Sequence, residues 1–380
     1  MSEKKRRHRR ACGRYRRSFA GGAENYKGTA VGITAAGEKK VRDIKNLTRE
    51  NLEEVCRSRG VPVFHAQQLF EWIYRKRVND FSLMPNVPVK FREYLKTVFY
   101  FSQMDVLKKE VSTDGTVKFL MGLPGGLAVE SVLIPEKKRR TLCVSTQAGC
   151  KFGCKFCVSG LDGFKRNLTP GEITGQLLAV EKDTGEKVTN IVFMGVGEPL
   201  DNFENLMVSI AIFMDNRGFE IGKRKIVIST CGFVPGIDLL AARGAGLRIS
   251  VSLHSADDKK RSEIMPVNKK YDTGKLMKAL KKFYEKEKFA VTFEYVLISG
   301  FNSSEKDAAA LSMYVKGVPH KLNIIPYNSS DYFQWKAPTG EEIGAFVEIL
   351  KTRGVFYTIR RPRGRDISAA CGQLKAKITS

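Results

Sequence analysis

Two hydrophobic periods divide the chain. Between residues 43 and 99 apolar positions recur at three- and four-residue spacing, as in helices with one face turned to a core. NLTRENLEEVCRSRG (46–60) predicts a helix capped by Thr48 and stopped by Gly60. A threonine hydroxyl can accept from an orphan N–H, and glycine tolerates the left-handed turn that ends a helix. HAQQLFEWIYRKRV (65–78) puts Leu69, Trp72 and Ile73 on one core face, and PVKFREYLKTVF (88–99) predicts a third helix. From about 100 to 140 the pattern changes to β-prone runs. KEVSTDGTVKFLM (109–121) reads as a hairpin turning at Asp114-Gly115, and LAVESVLIP (127–135) as a strand whose apolar pattern is broken by Glu130.

Beyond 140 short apolar runs alternate with amphipathic ones. TLCVS (141–145), NIVFMG (190–195), KIVIS (225–229), LRISVSL (247–253), VTFEYVLI (291–298) and KLNIIPY (321–327) are strand candidates. TPGEITGQLLAVEKD (169–183), NFENLMVSIAIFMDN (202–216) and SEKDAAALSMYVK (304–316) are helices between them. Parallel strands need long crossovers, so repeated βα units imply a parallel sheet wrapped by helices. Six units suit a partial (β/α) barrel with chemistry at the C-terminal strand ends; an open doubly wound sheet is the alternative. The expected domains are a basic arm (1–40), a helical accessory domain (43–99), a β-extension (100–140) and the barrel (141–374).

Charge adds a partner. The 380 residues carry a formal net charge of +25, and residues 1–20 hold nine Lys/Arg against one Glu, which leaves +17 on the rest of the chain. A body this basic favours a polyanion, because bound phosphates release counterions. No run of about 18 apolar residues occurs, so no membrane span is expected. The opening MSEKKRRHRRACGRYRRSF has no apolar segment behind its charges, which argues against a secretory signal and for the cytoplasm.

The eight cysteines stand at 12, 56, 143, 150, 154, 157, 231 and 371. Three of them crowd CKFGCKFC (150–157), directly after the strand TLCVS. A structural zinc site wants four ligands, with Cys143 as the candidate fourth. Three thiolates holding a 4Fe–4S cluster would instead leave one iron open for a non-protein ligand. The C-x3-C-x2-C spacing differs from paired C-x2-C knuckles and favours the cluster. After the next strand, VFMGVGEPL (192–200) has Gly195 and Gly197 for close backbone approach and Glu198 for a positively charged amine.

CKFGCKFC resembles the signature of the radical S-adenosylmethionine (SAM) superfamily, and GEP its SAM-binding turn. AVESV, TLCVSTQAGCKFGCKFC and RDISAACGQL (365–374) together resemble the RlmN/Cfr family of RNA adenine methyltransferases, in matching order over roughly residues 43–374. The resemblance implies an α/β fold, a partial (β/α)6 radical SAM barrel. It implies one 4Fe–4S cluster on Cys150, Cys154 and Cys157, with two SAM molecules used per turnover. Gly197, Glu198, Ser229, Ser252, Leu253, His254 and Asn328 would bind SAM. Cys371 would carry the methyl group as S-methylcysteine, Glu130 would accept a proton, and Cys143 would resolve a covalent protein–RNA intermediate through a transient disulfide with Cys371. The implied product is methylation at C2 of an adenine in 23S rRNA, at the peptidyl-transferase centre, and of the adenine 3′ to the anticodon in tRNA. C8 methylation of the same rRNA adenine, associated with antibiotic resistance, is the alternative. An external electron donor is required, and a monomer is expected. Arg360, Arg361, Arg363 and Arg365, beside Cys371, are suited to phosphate contacts.

Overall fold

The computed structural model describes residues 41–329, 332–360 and 363–374; the basic arm 1–40 and Arg361 lie outside them. The chain forms two compact units. The first joins the described residues up to Asp105 with 168–186 and 204–223. It contains α1 (Arg49–Ser58), α2 (Phe64–Tyr74), α3 (Val89–Val98), α4 (Pro170–Thr184) and the body of α5 (Phe203–Met214). Thr48 caps α1 as expected, and the cap is reciprocal: its hydroxyl accepts from Asn51 N–H at 3.3 Å while Asn51 Oδ1 accepts from Thr48 N–H at 3.1 Å. Gly60 follows with φ +62° and ends the helix.

Leu69 and Ile73 of α2 are buried, but Trp72 is only half-buried. Its indole N–H donates to Asn86 Oδ1 at 2.5 Å, and the Lys76 ammonium lies 3.6 Å from its ring centroid. An indole must satisfy its N–H, so it takes the rim of the core. Tyr74 is the aromatic that goes inside, fully buried, its hydroxyl donating to the Lys45 carbonyl at 2.9 Å.

The second unit holds one ten-stranded sheet. Its strands are β1 (Val106–Val111), β2 (Val117–Leu123), β3 (Leu127–Glu136), β4 (Arg139–Cys143), β5 (Asn190–Phe193), β6 (Ile226–Thr230), β7 (Arg248–Ser252), β8 (Val291–Leu297), β9 (His320–Pro326) and β10 (Tyr357–Ile359). Neighbours in the sheet are neighbours in the chain from one edge to the other. β1 to β4 form an antiparallel meander, and β4 to β10 run parallel. The later crossovers carry α6 (Val234–Arg243), α7 (Asp258–Ile264), α8 (Thr273–Glu287), α9 (Glu305–Val315) and α10 (Gly340–Thr352). A doubly wound sheet reverses strand order at a switch point; this order never reverses, which excludes that alternative. Because β1 and β10 both remain edges, the barrel is partial.

All six expected parallel strands form. β10 is one more, and its three residues are half-buried or exposed, too short and too wet to leave an apolar run. The central strands are the reverse: Ile191, Phe193, Ile228, Ile249, Val251 and Phe293 are all buried. Among the described residues no helix is long and apolar enough to cross a membrane.

Candidate active site

Cys150, Cys154 and Cys157 lie in the loop beyond β4. Its tightness depends on Gly153, whose φ of +63° disfavours side chains. The Lys155 N–H donates to the Ile264 carbonyl at 2.8 Å, and the Lys155 carbonyl accepts from the Trp335 indole N–H at 3.0 Å. Phe152 and Phe156 pack among Met265, Val267, Tyr271, Phe301 and Trp335. Burial pushes the Cys150 thiol up to about 12, with Cys157 adding to it. Burial also drives Cys154 well above the usual thiol range, reinforced by Cys157 and Cys150. The three thiols are thus electrostatic neighbours. Yet no three His, Cys, Asp or Glu side chains converge on a single ion among the described residues.

The turn after β5 approaches this loop closely. A Cβ on Gly195 would lie 2.6 Å from Ser145 Oγ, and one on Gly197, at φ +100°, 2.5 Å from Gln147 Cβ. Glu198 is buried, and burial raises its pKa. Its Oε2 accepts from Cys231 N–H at 2.7 Å and its Oε1 from Leu200 N–H at 3.2 Å. A carboxylate has about four lone-pair sites, so capacity for an amine remains.

Ser229 lies in β6, Ser252 ends β7, and Leu253 and His254 follow it. His254 is buried at φ +56°, its ring edge-on to Phe156 with centroids 4.6 Å apart. Its Nδ1 accepts from Val296 N–H at 3.0 Å, so Nε2 must carry the proton of the neutral ring. Burial, and then Arg261, hold its pKa down at about 3. Asn328, just beyond β9, accepts from Arg365 Nε at 2.8 Å.

The other two singled-out cysteines, far apart in the sequence, act on each other electrostatically. Cys143 ends β4 and packs with Val132, Val196, Ala369 and Leu374. Burial pushes its thiol up to about 12, and Cys371 adds to the rise. Cys371 is exposed. Its neighbours are tied to the cysteine loop: Val158 N–H donates to the Gly372 carbonyl at 2.8 Å, and Ser159 Oγ to the Leu374 carbonyl at 2.7 Å. Farther back, Asp366 accepts from Ser112 Oγ at 2.6 Å and Thr113 N–H at 3.0 Å, and Asp114 from Gly364 N–H at 3.1 Å. The β1–β2 turn therefore latches the Cys371 segment. Glu130 on β3 is buried, 3.5 Å from the Lys118 ammonium, which also pairs with Glu110 at 3.0 Å.

A family model for the radical SAM superfamily matches residues 144–311, and one for the ribosomal RNA large subunit methyltransferase N-terminal domain matches 42–109. A probable dual-specificity RNA methyltransferase RlmN of Akkermansia muciniphila is 45% identical over 338 residues, 87% of this chain and 94% of that protein. A dual-specificity RNA methyltransferase RlmN of Nitratiruptor sp. is 41% identical over 353 residues, 89% and 98% of the two chains. The chain belongs to the RlmN family of radical SAM methyltransferases. The crystal structure of a radical SAM methyltransferase from Sphaerobacter thermophilus agrees, with a TM-score of 0.82 and 38% identity over 88% of this chain and all of that one.

Membership in the RlmN family implies a 4Fe–4S cluster and SAM, and the residues fit both. Three neighbouring buried thiols in one loop are the ligand type that a 4Fe–4S cluster takes. Loading must release the protons that burial holds on these thiols. Some residues of this RlmN-family site were missed in the sequence. Val158 and Ser159 carry little signal as residue types, yet they hold the Cys371 segment. Ser145 bridges the Glu130 carbonyl (2.6 Å) and the Val196 N–H (2.8 Å), coupling β3 to the glycine turn. Arg360, suited in the sequence to phosphate, instead lies 3.6 Å from buried Glu294; burial opposes its charge, but Cys371, Glu294 and Cys143 outweigh this and raise its pKa. Arg363 faces Asp114 at 3.9 Å.

Proposed function

We propose that this enzyme methylates C2 of an adenine in 23S rRNA and in tRNA through a methyl-cysteine relay that uses two SAM molecules per turnover. The observation that carries this reading is that Cys371 acts electrostatically on both Cys143 and Cys157, supported by the Gly372–Val158 and Leu374–Ser159 hydrogen bonds. A structural zinc site would use neither Cys371 nor its tether to the loop. The RlmN names of its relatives supply the RNA substrate class.

When bound, the cluster and SAM supply the methyl group and the 5′-deoxyadenosyl radical. Gly197, Glu198, Ser229, Ser252, Leu253, His254 and Asn328 would hold SAM; neutral His254 can donate a hydrogen bond from Nε2. Cys371, the exposed thiol, takes up the methyl group, since a thiolate is a strong nucleophile. A C–H bond of that methyl group would break, the hydrogen atom going to the 5′-deoxyadenosyl radical. The sulfur-borne carbon then joins the electron-poor C2 of adenine, and loss of one electron, which the bound cluster would accept, leaves a covalent protein–RNA adduct. Glu130, held beside Lys118, takes the C2 proton as general base. Cys143 attacks the Cys371 sulfur; an S–S bond forms, the sulfur–carbon bond breaks, and the released carbon takes a proton to complete the methyl group. The disulfide must be reduced before the next cycle.

The test is an anaerobic reaction of cluster-reconstituted protein with methyl-labelled SAM, 23S rRNA fragments and tRNA, followed by nucleoside analysis. C2-methyladenosine from both RNAs is expected. C8-methyladenosine would overturn the regiochemistry, and normal turnover by Cys371→Ala would overturn the relay.

A further inference from the structure

Arg261, on α7, is fully buried, and among the described residues none of its side-chain hydrogen-bond acceptors is charged. Its Nε donates to the Leu253 carbonyl at 3.0 Å, Nη1 to Asn268 Oδ1 at 2.7 Å, and Nη2 to the carbonyls of Cys231 (2.8 Å) and Ser252 (3.1 Å). All four acceptors are neutral. Asp258, the carboxylate in this network, bonds Asn268 rather than the guanidinium: Asn268 Nδ2 donates to Asp258 Oδ1 at 3.0 Å, and the Asp258 charge offsets only part of the burial cost of Arg261. Hydrogen bonds to carbonyls satisfy the donors of a guanidinium but leave its net charge uncompensated, and a buried charge without a counter-charge is expensive. Desolvation accordingly works against its protonation.

The cysteine loop is an electrostatic neighbour of Arg261 through Cys154. Ile264, three residues after Arg261, accepts through its carbonyl from the N–H of Lys155, the residue after Cys154. Cys154 and Cys231 pack in one cluster with Ile264 and Met265. A Cβ on Gly232 would come within 2.9 Å of Arg261 Nη2, so the glycine lets the guanidinium close on the β6 end. Once the three thiols deprotonate to hold a 4Fe–4S cluster, the cluster with its thiolates carries net negative charge in a dry surrounding, and that charge grows on reduction.

We infer that Arg261 is a positioning residue for the iron–sulfur cluster: its guanidinium staples the ends of β6 and β7 and supplies the buried positive charge that favours the reduced state, raising the reduction potential. This rests on the family's cofactor and is independent of which RNA or ring carbon is methylated.

The experiment compares reconstituted wild type, Arg261→Lys, Arg261→Gln and Asn268→Asp by iron and sulfide analysis and by redox titration followed by electron paramagnetic resonance. Arg261→Gln should lose the charge and move the midpoint negative, whereas Arg261→Lys should stay near wild type. Asn268→Asp leaves Arg261 in place and sets a carboxylate against it, so its midpoint should also move negative even if Arg261→Gln fails to fold. An unchanged midpoint in loaded Asn268→Asp, or in loaded Arg261→Gln, would overturn the inference and leave a purely structural staple. A wild-type chain that assembles no cluster would overturn the cofactor assignment and this inference with it, whereas unchanged midpoints overturn the inference alone.

Discussion

Ser145→Ala is the sharpest test of how the catalytic strands are coupled. The β3–β4 ladder ends at Val132 and Cys143, so the Glu130 carbonyl lies beyond its last pair. The Ser145 hydroxyl donates to that carbonyl at 2.6 Å and accepts from Val196 N–H at 2.8 Å, with Ser145 fully buried. Removing it takes this acceptor from the Val196 N–H and this donor from the Glu130 carbonyl. Each buried unsatisfied group costs about 1–3 kcal/mol, with carbonyls toward the lower end, so the variant should lose about 2–4 kcal/mol. At about 1.4 kcal/mol per tenfold, the unfolding equilibrium shifts roughly 30- to 1,000-fold. Urea titration followed by Trp335 fluorescence in a Trp72→Phe background reads the second unit, because Trp335 bonds the cysteine loop. A variant within about 0.5 kcal/mol of wild type, the range of an inert surface change, would refute the reasoning.

Gly197→Ala should lower SAM affinity at least about tenfold by equilibrium dialysis, because a Cβ strains a positive φ by about 1–2 kcal/mol and collides with Gln147; unchanged binding would contradict the assigned turn. Iodoacetamide at pH 8 should alkylate Cys371 well before Cys143, since Cys371 is exposed while burial lifts Cys143 to about 12; peptide mass spectrometry decides, and equal rates would be inconsistent with this burial. The latch should resist acid. Burial raises Asp114, but hydrogen bonds from Thr116, Gly364 and Ser112 outweigh it and bring its pKa to about 2, and Ser112 and Thr113 lower Asp366. Because both folded values lie below the unfolded one near 3.9, the contribution is full above about pH 4–5 and lost as pH falls toward about 2. Intrinsic-rate-corrected exchange of the Gly364 amide should therefore stay flat from pH 7 to 5; loss of protection in that window would exclude the carboxylate latch.

Fold was legible wherever burial left a run. Strands such as 226–230 and 291–297 have apolar residues at their core positions, and the capping pairs of α1 and α4 stand openly in the sequence. β10 was not, because an edge strand of three residues need not be apolar. The site divides differently. The cysteine spacing announced itself, but Cys371 and Cys143, which act on each other electrostatically, lie far apart in the sequence, and no local pattern links them. Buried polar residues were least visible. Ser145, Arg261 and Asn302 look like surface residues by type, yet all are fully buried; Asn302 Nδ2 donates to the carbonyls of His254 (2.7 Å) and Val296 (2.8 Å). Their role comes from backbone groups that other strands bring to them.

The strand order has a consequence for synthesis. Each strand pairs with the one made just before it, so the sheet can grow as the chain leaves the ribosome without waiting for distant partners. The segment around Cys371 is the exception: Ser112 and Asp366, which join it to the first hairpin, are 254 positions apart. The Cys371 segment therefore docks long after the hairpin that holds it has been made. A nascent chain can fold its sheet and present its three-cysteine loop while still lacking Cys371, so under the proposed relay methyl transfer to RNA would begin only after translation had delivered that residue.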